Sequence, residues 1–328
     1  MIHGDLRRDA LERWLHAQLP RGARFTLTPA SEDASFRRYF RASLDDGSSY
    51  VAMDAPPDKE DCRPFVHVAG LLHAAGVHAP RVHAQDLAQG FLLLTDLGTR
   101  TYLQELTAEN APQLFADATD ALVRWQLATR PGELPPYDEA LLRREMQLFP
   151  DWYVGRHLKR ELNASQASAL EGIFAVLVKS ALAQPRVYVH RDYMPRNLML
   201  SRPNPGVLDF QDAVLGPITY DMVSLLRDAF LSWPEEPVLD WTVRYWEQAK
   251  KSGLPVEADF AEFWRGFEWM GLQRHLKVLG IFARIHYRDG KPKYLTDTPR
   301  FLRYAREVCR RYSALAPLER LLDELKCE

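Results

Sequence analysis

Cysteine is scarce: Cys62, Cys309 and Cys327 are the only three in a chain of 328 residues. They are far apart, odd in number and form no C-x-x-C pair. That argues against a disulfide framework or a zinc cluster and places the chain in a reducing cytoplasm. There is no uninterrupted apolar run of about 18 residues, so no membrane span is expected. The opening stretch, MIHGDLRRDALERWLHAQLP, mixes acids and bases and lacks the apolar core of a signal peptide; it reads as a short amphipathic helix. Internal repeats and low-complexity tracts are missing too. So is an excess of charge: 42 Lys and Arg face 44 Asp and Glu, for a net charge of −2. A dedicated nucleic-acid binder would carry a basic surplus. A disordered chain would be less apolar than the 46% hydrophobic content found here.

What is present divides the chain in two. Residues 24–53 alternate in strand fashion around an Asp45-Asp46-Gly47 turn. Residues 64–75 have helical spacing, and PRVHAQD and GFLLLTDL read as two further strands. After Leu97, apolar residues recur at i, i+3, i+4 and i+7 over 112–129, 137–160, 164–184, 236–251, 257–286 and 298–326. Only 186–215 interrupts this, with short apolar runs broken by Pro, Asn and Gly. The expected class is α+β: a small β-rich lobe over 1–95 and a larger, mainly helical lobe over 96–328. A cleft between two such lobes is a natural ligand site.

The interruption carries the chemistry. In His190-Arg191-Asp192-Tyr193-Met194-Pro195-Arg196-Asn197 an Asp is followed five residues later by an Asn, and Asp209 follows twelve residues after that, in VLDFQD. Phosphoryl transfer needs one carboxylate to orient the attacking hydroxyl. It also needs a carboxylate and an amide to hold Mg²⁺ against the triphosphate. Hard oxygen ligands suit Mg²⁺. H-R-D-x-x-x-x-N followed by D-F is the catalytic-loop and metal-site signature of the protein-kinase-like fold. The bland alternative is a loop whose Asp and Asn residues cap helices.

On these residues, with the T-D-L-G junction near 95 and G-P-x-x-Y-D at Gly216–Asp221, the chain resembles the aminoglycoside phosphotransferase family, small-molecule kinases of the protein-kinase-like fold. ASFRRYFR (34–41), MDAPPDKEDCRPF (53–65) and the segment 269–291 are most similar to amino-sugar kinases of cell-wall recycling. Those phosphorylate the anomeric hydroxyl of N-acetylmuramate and N-acetylglucosamine. The resemblance implies Asp192 as catalytic base, Asn197 and Asp209 as Mg²⁺ ligands, and ATP as phosphoryl donor. It implies His190 as a brace of the loop and Asp221 as its anchor, with a plain N-cap as the alternative for Asp221. Adenine would meet the backbone near Thr95, Asp96 and Leu97.

The N-terminal lobe departs from the pattern. The loop expected to cover the phosphates, Pro29–Ser35, has no glycine, although Ser35 could add a hydroxyl. Asp54 stands near the position expected for a lysine. Another cation must then meet phosphate, and Arg37, Arg38 and Lys59 are the candidates. On the acceptor side, Glu145, Phe149 and Trp152 share one face of a continuous helix; the alternative is a core face with a buried Glu145 paired to Arg143 or Arg144. Among Gln273, Arg274, His275 and Lys277, at most two can point at one site, and Arg274 is chosen for a sugar carboxylate. Arg196 is assigned to the transferring phosphate. The expected partners are a small sugar and ATP, with no nucleic acid, membrane or obligatory protein. The rival readings are an aminoglycoside, choline or homoserine kinase, and a nucleotide-binding pseudokinase without turnover.

Overall fold

The computed structural model describes residues 5–31 and 36–327. They form two compact units. One comprises the chain up to Glu105 together with Arg196–Asp212; the other comprises Leu106–Pro195 and the chain from Ala213 onward.

The first unit is built on a five-stranded antiparallel sheet. Its strands are β1 (Phe25–Ser31), β2 (Arg38–Leu44), β3 (Ser49–Asp54), β4 (Val82–Asp86) and β5 (Phe91–Thr95), in the spatial order β1-β2-β3-β5-β4. Gly47 closes the β2–β3 turn at φ +84°, a backbone state that glycine adopts without steric cost. Helix α1 (Leu6–Gln18) starts where the Asp5 carboxylate accepts the Arg8 N–H. It lays Leu11 and Leu15, one turn apart, with Leu19 onto Phe40, Leu44, Ala52, Phe91 and Leu93. Full burial of each such leucine stabilises the unit by about 1.5–3 kcal/mol. Helix α2 (Arg63–Ala74) buries Phe65, Val68, Ala69 and Leu72 at i, i+3, i+4 and i+7. Phe65 packs on Phe210 with ring centres 4.7 Å apart. The segment 196–212 joins this unit through backbone: the Leu200 N–H donates to Arg100 and the Val207 N–H to His78. It approaches just before the one-turn helix α3 (Tyr102–Glu105).

The second unit is helical: α4 (Ala111–Leu127), α5 (Glu139–Met146), α6 (Ala164–Ala183), α7 (Tyr220–Leu226), α8 (Glu235–Lys251), α9 (Phe260–Asp289), α10 (Thr298–Arg311) and α11 (Ala316–Glu324). A two-stranded ribbon, Arg186–Val189 with Val214–Pro217, leads into and out of the segment that carries the motif. The 30-residue α9 runs through the middle, and α5, α6, α7 and α10 pack against it. By length and hydropathy alone α6 could cross a bilayer. In this fold it buries Leu170, Ile173, Phe174, Leu177, Val178 and Ala181.

Two expected helices are interrupted. The one over 137–160 ends at Met146 and resumes as a π-helix over Phe149–His157. Pro150 has no N–H to continue the ladder, and a π-turn is a known way to absorb such a break. The one over 298–326 breaks at Tyr312, ahead of Pro317.

The π-helix is reached through a close approach. A Cβ on Gly280 of α9 would lie 2.2 Å from the carbonyl carbon of Leu148, a backbone atom that cannot swing aside. Gly280→Ala should therefore destabilise the chain by about 1–3 kcal/mol. Gly70→Ala, in the open on α2 with nothing within 4 Å, should stabilise it by about 0.5–1 kcal/mol. Denaturant midpoints measured side by side check both signs.

Candidate active site

The motif loop is fixed within the helical unit by one carboxylate. Asp221, in the first turn of α7 and with no solvent exposure, accepts the N–H groups of His190 at 2.7 Å and Arg191 at 3.0 Å. Burial pushes its carboxyl up to about 7, against the lowering pull of those two N–H groups. Its role is thus to anchor the loop; no side chain caps α7. The His190 Nδ1 accepts the Asp192 N–H at 3.3 Å, a brace to backbone as expected. The Tyr193 hydroxyl donates to Ala118 O at 2.7 Å, and the Ser224 hydroxyl to Arg191 O at 3.3 Å. Among these contacts Arg191 adopts a left-handed conformation, φ +76°, immediately before the half-buried Asp192. Such backbone strain is found where surrounding contacts over-determine a functional turn.

Glu145, expected on the acceptor side, lies in the same unit. It is 5% exposed, and its oxygens are engaged inside the protein. Arg191 Nη2 and Lys277 Nζ, the latter at 2.8 Å, donate to Oε1, and the Tyr137 hydroxyl and Gln273 Nε2 donate to Oε2. Burial alone would push this carboxyl up; Lys277 and Arg191 outweigh it and hold it at about 2. The helical spacing that grouped Glu145 with Trp152 fails because the π-helix intervenes. Phe149 is buried and Trp152 half-buried.

The polar cluster of α9 sorts by helical phase. Gln273 and Lys277, four apart, share the face toward Glu145. Arg274, expected to meet a sugar carboxylate, is 3% exposed and lies in the field of Asp221 and Asp228. Lys277 was visible in the sequence; its partner was not, because α5 and α9 are distant along the chain.

In the first unit, Asn197 is buried at the end of a 3₁₀ turn, and Asp209 adopts φ +63°. Asn197 Nδ2 donates to Asp209 Oδ2 at 3.3 Å, and Gln211 Nε2 to Asp209 Oδ1 at 2.9 Å. The buried Gln211 Oε1 has no hydrogen-bond partner. A carboxylate flanked by two amides, one with an orphaned oxygen, is a hard-oxygen donor set that fits Mg²⁺. Among the described residues no group of three or more His, Cys, Asp and Glu side chains is placed to hold a metal. Arg196 is half-buried in the same turn.

The sheet resolves what Asp54 does. It is fully buried at the end of β3. Arg7 Nε donates to it at 2.8 Å and Arg38 Nε at 3.0 Å. Arg38 also pairs with Asp5, whose carboxyl that pairing holds down. Arg37 pairs with Glu60 at 3.1 Å. Asp96 accepts from Arg41, Ser49 and the Gly98 N–H. The Thr95 hydroxyl accepts the Arg81 N–H, and Leu97 packs on Gly206. Ser35 lies outside the described residues.

A model of the phosphotransferase enzyme family matches residues 26–260. The chain belongs to that family. This phosphotransferase is 55% identical, over 99% of its length and 98% of the relative's, to a protein of Pseudomonas putida named N-acetylmuramate/N-acetylglucosamine kinase. A protein of Pseudomonas aeruginosa with the same name is 60% identical over 91% of this chain and 88% of its own. Among solved structures, choline kinase from Cryptosporidium parvum matches with a TM-score of 0.63 at 11% identity, over 95% of this chain and 98% of that one. The ADP-bound aminoglycoside phosphotransferase APH(2'')-Ib matches with a TM-score of 0.58 at 15% identity, over 91% and 98%. These likenesses establish the protein-kinase-like α+β fold.

The arginines around Asp54 make a direct test of the charge reversal on β3. Removing a buried partner of ion pairs costs about 3–5 kcal/mol, less where the cations can rehydrate. Arg7 and Arg38 are 35% and 38% exposed. Asp54→Asn should accordingly destabilise by about 1–3 kcal/mol. Asp54→Lys, which supplies the expected lysine, should destabilise more, because it places a third cation against two. A lysine variant as stable as wild type in denaturant would contradict this account.

Proposed function

We propose that this phosphotransferase transfers the γ-phosphoryl group of ATP to the anomeric hydroxyl of N-acetylmuramate and N-acetylglucosamine, in the cytoplasm, as a step of peptidoglycan recycling. The observation that carries the acceptor is near-complete, 55% identical coverage of a relative named for those two sugars. Asp192 orients the sugar hydroxyl for in-line attack and takes its proton, from a loop whose backbone Asp221 fixes. Asn197 and Asp209 hold Mg²⁺, with Gln211 beside them. The bound ion neutralises charge on the phosphate oxygens. Arg196 meets the transferring phosphate. The backbone at Thr95–Leu97 receives the adenine, and Ser35 stands in the loop that covers the phosphates. Of the two neighbouring arginines, Arg37 lends positive charge to the nucleotide side, since Arg38 is engaged by Asp5 and Asp54. The catalytic contribution is positioning and electrostatic stabilisation, as is general for phosphoryl transfer.

Supplied with ATP, Mg²⁺ and either sugar, the protein should form a sugar-1-phosphate, recognised by coupling between phosphorus and the anomeric proton in NMR. Phosphate at another position would refute the assignment. Asp192→Asn should lower kcat by about 10²–10⁴-fold while nucleotide still binds. Asp209→Ala should shift or abolish the Mg²⁺ dependence in a metal titration.

A further inference from the structure

The helical unit contains an ionic cluster that the proposed reaction does not use directly. Glu145 of α5 accepts from Arg191, from Lys277 and Gln273 of α9 and from Tyr137 in the loop before α5, and Lys277 also donates to Tyr220 of α7. Lys277 Nζ lies 2.8 Å from Glu145 Oε1 and 3.1 Å from the Tyr220 hydroxyl. The Arg191 guanidinium stands over the Tyr137 ring, 5.8 Å from its centre. Tyr137 in turn packs edge-on to Tyr220 at 5.4 Å. Glu145, Gln273, Tyr137 and Tyr220 are at least nine-tenths buried, and the Lys277 and Arg191 side chains are 11% and 19% exposed. Two cations face one carboxylate.

We infer that Glu145 and Lys277 are positioning residues for the reaction: Lys277 fixes Glu145, Glu145 clamps the Arg191 side chain, and through the left-handed backbone of Arg191 the pair sets where Asp192 stands. Asp221 holds the two N–H groups of the turn, and the Glu145 cluster holds its side chain. The turn is thereby gripped on both sides of the same residue. With only the backbone grip, Arg191 could relax toward ordinary φ. The carboxylate one residue along would then leave the attacking hydroxyl, and misplacement by about 1 Å can cost 10²-fold in rate. The cluster acts through Arg191, so it needs no contact with either substrate. This inference rests on Asp192 being the group that orients the acceptor hydroxyl.

Single and double variants separate positioning from bulk stability. Glu145→Gln alone leaves two cations without their carboxylate and should lower both Tm and kcat, whereas Lys277→Met leaves Glu145 paired with Arg191 and should cost less Tm while still lowering kcat. The double variant E145Q/K277M removes one charge of each sign and should recover much of the wild-type Tm. Its kcat should nonetheless stay at least tenfold low with both sugars, with KM for ATP and for each sugar within about threefold of wild type. Lys277→Arg should recover more kcat than Lys277→Met at equal Tm. If the double variant regains kcat along with Tm, the cluster is merely structural and the inference fails. It fails as well if KM for a sugar rises while kcat holds, since that marks direct acceptor contact. Hydrogen exchange gives a readout independent of turnover: amides of 189–193 should exchange at least tenfold faster in the double variant. Unchanged exchange overturns the clamp even if neither sugar is a substrate, whereas an inert wild-type protein counts against the proposed acceptor alone.

Discussion

The Asp221 carboxylate, sealed from solvent, accepts the N–H groups of His190 and Arg191, and the placement of the motif loop depends on those two bonds. Buried main-chain N–H groups left without acceptors would each cost about 1–3 kcal/mol. The loop therefore stays where Asp221 is, and Asp221 is where α7 begins. The rest of the G-P-x-x-Y-D motif follows from the same constraint. A Cβ at Gly216 would meet the Tyr137 side chain at 3.0 Å, so glycine lets Tyr137 close in. Tyr137 then donates to Glu145, and Glu145 receives Arg191. A motif that looks like a string of turn residues is thus a chain of contacts ending on the residue before Asp192.

The same physics recurs in the first unit with other residues. Asp54 is fully buried, and two arginines from α1 and β2 surround it. A buried carboxylate is tolerated when charged donors replace the water it has lost. On β3 this reverses the usual polarity, with the acid on the strand and the cations on its neighbours. Helix α1 is thereby tied to the sheet by charge as well as by Leu11 and Leu15. Arg38 cannot be counted as an uncommitted phosphate ligand, because Asp5 and Asp54 already engage it.

How far the sequence spoke depended on the distance over which each feature is encoded. The strands of the first sheet, α2 and the cores of the long helices were legible because periodicity and turn chemistry are local. The kinase-like loop was legible because its residues occur at fixed spacing within about twenty positions. Asp221 as an anchor could be anticipated from the same segment. The partners of Glu145 could not. They come from α9 and from the loop itself, 132 and 46 residues away along the chain, and no local pattern reports them. The sequence likewise could not say which elements Arg274 and Lys277 face: both are buried on one helix, and only the neighbouring elements decide what each meets. The break before the π-helix had a visible signal in Pro150, which the apolar periodicity overrode.

Charge placement also bears on the acceptor. Some arginines of the helical unit are committed to acids: Arg143 to Glu139 and Glu171, and Arg311 to Glu235 and Glu268. Arg274 sits beside Asp221 and Asp228. Around Arg191, Glu145 faces two cations, and Asp192, whose field both cations feel, answers the second charge. A kinase that serves both a neutral and an anionic sugar, as proposed, cannot rely on a dedicated arginine fork for the carboxylate. Such a fork would be left unpaired, at a desolvation cost, whenever the neutral sugar bound. Cations already hydrogen-bonded within the protein can favour the anionic acceptor only modestly, and they do not penalise the neutral one. By that reasoning the two sugars should differ more in KM than in kcat, since the orienting carboxylate and its anchor are common to both.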